Sequence, residues 1–223
     1  MTEGTADPAS VPEPLDAVQA RILGSLVEKE ATTPEAYPLT ANAVQLACNQ
    51  KNNRDPVLEL EPGEIGHALR TLEQRGMVRS VHGARAQRYE HRFAQAYSVT
   101  LKQQALLSVL LLRGPQTASE LLTRCERLQA FDGGVDEVRQ SLDRLQQRGL
   151  TVCLGRAAGQ REDRYMHLLC GPVDPASLPP PTSARRGSEG GSDHPLEARV
   201  RELEERVARL ESLLGTPDAP DDR

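Results

Sequence analysis

From Leu15 onward the apolar positions fall into short helical stripes, each stopped by glycine or proline, and twice the last stripe runs into a strand-like stretch. Leu15, Val18, Ile22, Leu23, Leu26 and Val27 predict a first helix over 15–27, and Ala31–Pro38, with two prolines, predicts a loop. Thr40 opens a short second helix that turns Ala43, Val44 and Ala47 inward. A polar connector, Asn49 to Pro56, leads to a third helix with Pro62 near its start and Ile65, Leu69 and Leu72 on one face. That helix ends at Gly76, and Met77–Val81 and Ala86–Arg92 read as two strands around a His82-Gly83 turn.

The plan then repeats. Thr100 and Gln103 form a capping box ahead of Leu106, Leu107, Leu110 and Leu111, and Arg113-Gly114-Pro115 breaks that helix. Thr117 and Glu120 form a second box before Leu121 and Leu122. A third helix over 135–148 packs Val138, Leu142 and Leu145 and is followed by Val152-Cys153-Leu154, a Gly155–Gln160 turn and Tyr165–Leu169. The phrase Gln74-Arg75-Gly76 recurs as Gln147-Arg148-Gly149, 73 residues on, after leucines in the same helical positions. A helix stopped by glycine and fed into a hairpin is how the third helix of a winged-helix domain meets its wing. The expected fold class is mainly α with small β-hairpins (α+β): winged-helix domains over 15–97 and 98–171.

The remainder divides by composition. Residues 1–14 and 215–223 read as disordered tails, and 172–195 as a linker of proline, glycine, serine and charge that cannot bury a core. Over 196–214 the apolar residues Leu196, Val200, Leu203, Val207, Leu210 and Leu214 are spaced alternately four and three apart. With valine at a and leucine at d, this predicts a short parallel two-stranded coiled coil, hence a homodimer. Arg199 and Arg206 at g face Glu204 and Glu211 at e in that pairing, whereas an antiparallel pairing sets like charges together. The segment spans fewer than three heptads, so folding back on the rest of the chain, or fraying, remains an alternative.

Composition narrows the chemistry. The chain has 223 residues, no tryptophan and two phenylalanines, so its core must be built from Leu, Val, Ile and Ala. No apolar run approaches the ~20 residues of a membrane span, and the start lacks the basic and apolar parts of a signal peptide. A cytoplasmic protein is expected. Four well-separated cysteines without a C-x-x-C pair predict neither a disulfide framework nor a metal site, and Cys48 and Cys125 read as small buried thiols at like positions of the two halves. The net charge of −5 lies in the flanks. Residues 15–171 hold 20 basic and 18 acidic side chains, close to neutral. No nucleophile stands beside a base, and no glycine-rich phosphate loop or carboxylate pair occurs, so neither an enzyme nor a cofactor is expected.

The run Tyr37-Pro38-Leu39-Thr40 with Ala47-Cys48-Asn49-Gln50-Lys51-Asn52-Asn53-Arg54-Asp55-Pro56-Val57 resembles the signature of the YceH-like family of uncharacterised bacterial proteins. Leu112-Arg113-Gly114-Pro115-Gln116-Thr117, Glu120-Leu121, Arg124 with Glu126-Arg127, and the tail from Leu196-Glu197-Ala198-Arg199-Val200 are similar too. The resemblance implies a tandem winged-helix fold in a bacterial cytoplasmic protein. It implies no reaction and no ligand.

Two functions fit. A DNA-binding, regulator-like protein needs basic and amide side chains on a third helix and its wing. The first half supplies Arg70 and Gln74 on the helix, Arg79, Arg85 and Arg88 on the wing, and Asn49, Gln50, Lys51, Asn53 and Arg54 on the connector. The second half starts its third helix with Asp136-Glu137 and carries Glu162 and Asp163 in its wing, so the first half is the expected contact with duplex DNA. The alternative is a protein–protein interaction or scaffold module whose winged domains touch no nucleic acid. The connector also has a structural reading, in which Asn and Asp cap turns and Arg54 anchors a carboxylate.

Overall fold

The computed structural model describes residues 12–82, 86–156 and 161–173, all within one compact unit. The chain begins with α1 (Ala17–Thr32), a short 3-10 turn (Pro34–Ala36), β1 (Leu39–Thr40), α2 (Ala41–Cys48), α3 (Pro62–Gln74), β2 (Val78–His82) and β3 (Gln87–His91). After α4 (Phe93–Tyr97) the order repeats as α5 (Leu101–Arg113), β4 (Gln116–Thr117), α6 (Ala118–Cys125), α7 (Gly134–Gln147), β5 (Thr151–Gly155) and β6 (Arg164–His167). Each half thus has three main helices and a three-stranded antiparallel sheet, ordered β1-β3-β2 and β4-β6-β5. This is the mixed α+β class that the sequence predicts, and each series is consistent with a winged-helix-like fold.

The stretches after Gly76 and Gly149 are paired strands: β2 runs antiparallel to β3 and β5 to β6. Both glycines have positive φ, 69° and 68°, which a residue without Cβ reaches without strain and which turns each third helix sharply into its hairpin. The arginine before each glycine has the same task in both halves. Arg75 donates to the carbonyls of Glu13 and Pro14, just before α1. Arg148 donates to those of Tyr97 and Ser98, just before α5, at 2.6 and 2.9 Å. Counted from the N-caps Asp16 and Thr100 the acceptors are the same two residues, so the repeated Gln-Arg-Gly phrase clamps each third helix to the entry of its first.

Several boundaries differ from the sequence reading. α1 starts at a capping box of Asp16 and Gln19 and continues to Thr32, through part of the stretch expected as loop. β1, β4 and α4 carry no periodic pattern. Two-residue strands exist only because Thr40 pairs with Arg88 and Thr117 with Arg164 across each sheet. The capping boxes of Thr100 with Gln103 and Thr117 with Glu120 are present as expected. So are the buried thiols of Cys48 and Cys125, which burial pushes up to about 11 and about 12.

The halves are joined along α1 and α5. Gly24 permits the close approach, since a Cβ there would lie 2.9 Å from Leu112 Cγ and 3.2 Å from Leu111 Cβ. Ser108 Oγ donates to the Gly24 carbonyl at 3.2 Å, and one apolar cluster runs through both halves. Backbone bonds add to the join: Leu15 N donates to Leu169 O and Asp55 N to Leu112 O, at 2.8 and 2.9 Å.

Candidate nucleic-acid interface

The outward side of α3 is polar because Ile65, Ala68, Leu69 and Leu72 take its inner face. Glu64, His67, Arg70 and Gln74 are exposed there. On the hairpin, alternation puts Val78 and Tyr89 toward the core and leaves Arg79 and Arg88 exposed on the other side. Arg79 is opposite Glu90 across the ladder and pairs with it at 2.6 Å, but its side chain stays 55% exposed, so the guanidinium is screened and available. Arg88 donates to the carbonyls of Pro38 (2.7 Å) and Ala36 (3.3 Å), fastening the wing to the chain ahead of β1 while remaining exposed. Arg92 is exposed as well, and with Glu73, Val78, Arg79, Gln95 and Ala96 it lines a surface cleft of about 460 Å³. Gln95 and Ala96 belong to α4, whose five residues are too few to show a helical period, so this wall of the cleft had no sequence signal. Arg85 lies outside the described residues, as do Leu196, Val200, Leu203, Val207, Leu210 and Leu214.

Of the connector, Arg54 is enclosed in the protein, which removes it from the candidate set, and Asn49, Gln50 and Asn53 are engaged in holding the loop. The Arg54 side chain has no exposed surface. It pairs with Glu28 at 2.5 Å and donates to the carbonyls of Ala47 and Asn53 and to Gln50 Oε1. A guanidinium so enclosed reaches no phosphate. Asn49 closes a two-way bond with the Leu60 backbone, donating at 3.0 Å and accepting at 2.9 Å. Asn53, with φ of 62°, turns the chain in a left-handed conformation, and its Oδ1 accepts from Arg113. Of the five connector candidates only Lys51 is exposed and makes no hydrogen bond or ion pair among the described residues. A second arginine, Arg21 of α1, is also buried against the connector and donates to Pro56 O (2.6 Å) and Cys48 O (3.2 Å). Burial first, and the nearby Arg54 next, lower its pKa. Asn53 and Asp55 of the connector therefore meet Leu112 and Arg113, parts of two segments that carry the family resemblance, where the two halves join.

The second half arranges its charges differently. On α7, Arg139 pairs with Asp136 at 3.3 Å, and Glu137 takes the Lys102 ammonium and the Gly133 N–H, which together hold its carboxyl below the ordinary range. Near β6, Arg156 pairs with Asp163 at 3.3 Å, and Glu162 accepts from Ser119 Oγ at 2.8 Å. The bond from Ser119 is the main reason that the Glu162 carboxyl is also lowered. Among the described residues, no three of His, Cys, Asp and Glu gather as ligands for a metal ion, and no helix is long and apolar enough to cross a membrane.

The chain belongs to the family described as "Protein of unknown function, DUF480", which matches residues 15–160 and is the YceH-like family that the connector resembles. A UPF0502 protein of Stenotrophomonas maltophilia (strain R551-3) is 54% identical over 214 residues, covering 96% of this chain and 98% of its own. A UPF0502 protein of Xanthomonas campestris pv. campestris (strain B100) is 52% identical over 224 residues, covering 98% and 97%. Another, of Ectopseudomonas mendocina (strain ymp), is 54% identical over 194 residues, covering 87% and 88%.

Proposed function

We propose that this DUF480 protein is a non-enzymatic tandem winged-helix protein, with domains over 15–97 and 98–171, that binds double-stranded DNA through the first and acts as a regulator. The observation that carries this reading is the exposed set on one third helix and its hairpin: Arg70 and Gln74 on α3, Arg79 and Arg88 on the wing, and Arg92 in the cleft beside Arg79, with Lys51 exposed on the connector. Arginine and glutamine on such a helix suit base edges, and the wing arginines suit phosphates. Residues 196–214 would couple two chains in parallel, so that two first domains reach one duplex. Binding measured over a salt series tests the reading. Affinity should fall steeply with salt, and Arg79→Glu with Arg88→Glu should weaken it on every sequence and flatten the slope of log K against log salt by about 2. Binding that ignores salt and both substitutions would remove DNA from the reading.

A second reading, a protein-interaction module, is supported by Leu46 on α2 and Val57 after the connector, 64% and 50% exposed. Large apolar side chains so placed suit a partner protein better than a phosphate backbone.

A further inference from the structure

Beside β6 the second half has a cleft of about 200 Å³ whose lining includes Arg139 of α7, Arg156 and Arg161 of the hairpin, and Ala118 at the start of α6. Three guanidinium groups around so small a space repel one another and favour an anion between them. Here the chain supplies the anions itself, since Glu162 and Asp163 line the same cleft. Asp163 holds Arg156 at 3.3 Å. Glu162 accepts the Ser119 hydroxyl at 2.8 Å and feels the charge of Arg139. Arg161 is exposed.

The first half identifies these acids as additions to a shared frame. Thr40 pairs with Arg88 as Thr117 pairs with Arg164, so counting back along the two strands sets Ala86 and Gln87 where Glu162 and Asp163 stand. The fold therefore forms with neutral residues at both positions. A phosphodiester offers the same chemistry as the two carboxylates, oxygen acceptors for guanidinium and hydroxyl donors.

We propose that the cleft of Arg139, Arg156 and Arg161 is a binding site for the phosphodiester backbone of DNA, kept closed by the wing's own carboxylates Glu162 and Asp163. The second half is thus self-inhibited, and it engages a duplex only when those acids give way. This rests on the DNA reading of the first half.

The test is the full chain carrying Glu162→Ala with Asp163→Gln, which copies Ala86 and Gln87, beside the wild type and the milder Glu162→Gln. A charge control, Glu126→Ala with Asp132→Asn, removes two exposed acids elsewhere in the same half. Each is titrated with a short duplex of mixed sequence over a salt series, and with inorganic phosphate while the Ser119 amide signal is followed by NMR. In the copied variant duplex affinity should rise roughly tenfold, and the salt slope should steepen by about 1–2 as phosphates are added to the contact. Glu162→Gln should give a smaller gain in the same direction, and the control should give less than either. Phosphate should move the Ser119 signal in the copied variant and leave it unmoved in the wild type. If the wild type binds duplex and the copied variant binds with the same affinity and slope, or gains no more than the control, the proposal is overturned. If no chain binds duplex, the DNA reading of the first half falls and the phosphate titration decides for the cleft: an unmoved Ser119 signal in the copied variant overturns it, and a moved one upholds an oxyanion site.

Discussion

The two halves share one backbone plan and differ in where they put charge. Residues 62–92 and 134–167 each contain six arginines, but the first stretch has three acids and the second five. The repeat of 73 residues sets Arg70 against Asp143 on the third helices, and strand register sets Ala86 and Gln87 against Glu162 and Asp163. What is kept is the apolar face, the positive-φ glycine and the arginine clamp, all of which the fold needs. The difference falls on exposed or half-buried positions outside the core, where charge and binding can change while the apolar packing is kept. A shared frame with unequal surfaces lets the two halves fold alike while presenting different charge to whatever they contact.

The largest effect is expected where the first half depends on a buried charge. Its connector is fastened by Arg54 to Glu28, whereas the shorter connector of the second half is closed by Phe131, under the ammonium of Lys102 at 5.7 Å. Glu28→Ala strands an enclosed guanidinium and should cost about 3–5 kcal/mol in denaturant unfolding. A loss below about 1 kcal/mol would mean that this pair does not hold the connector.

A smaller effect separates the two sheets. His91 and His167 occupy like places at the ends of their ladders, opposite Val78 and Thr151. Glu30 meets the ring of His91 at 2.9 Å and offsets part of the effect of burial, which still lowers its pKa. His167 is enclosed, its Nδ1 has no hydrogen-bond partner among the described residues, and burial takes its pKa from 6.5 to about 4. The unfolded chain therefore takes up the proton first. The contribution of neutral His167 is complete above about pH 6.5 and is lost as pH falls toward 4, by roughly 3 kcal/mol. Urea midpoints measured across that window should flatten in His167→Gln and change less in His91→Gln. Equal flattening in both would show that Glu30 does not distinguish the two rings.

The smallest effect checks whether the duplication is energetic as well as geometric. Arg75→Ala and Arg148→Ala remove matching pairs of carbonyl contacts and should each cost about 1 kcal/mol. Arg75 should cost slightly more, because it also donates to Gln19 Oε1 at 2.6 Å. Unequal losses, with one variant indistinguishable from wild type, would confine the clamp to one half.

Local signals made much of the fold legible. Leu69, Leu72 and Gly76, and their counterparts Leu142, Leu145 and Gly149, mark helix, stop and strand through period and backbone freedom alone. Thr100 with Gln103 and Thr117 with Glu120 announce their helices because a capping box is complete within four residues. α4 and the two-residue strands β1 and β4 were illegible, since what holds them is a partner distant in the chain. The candidate site divided along the same line. Arg70, Gln74, Arg79 and Arg88 are exposed on the expected elements, because helix and strand alternation say which side a residue takes. On the irregular connector no period says whether an arginine points out or in, and Arg54 and Asn49 turned out to be engaged with Glu28 and Leu60.

By itself, then, the order of residues determined two copies of a small α+β unit, their helix stops and capping, and which faces of the third helices are polar. These follow from interactions within about four residues or from a repeating period. Only the tertiary structure decided that Gly24 admits α5 against α1, that Arg54 is enclosed, and that Glu162 finds Ser119. Each of those depends on groups far apart in the chain meeting at a distance of a few ångströms, and no local pattern encodes such a meeting.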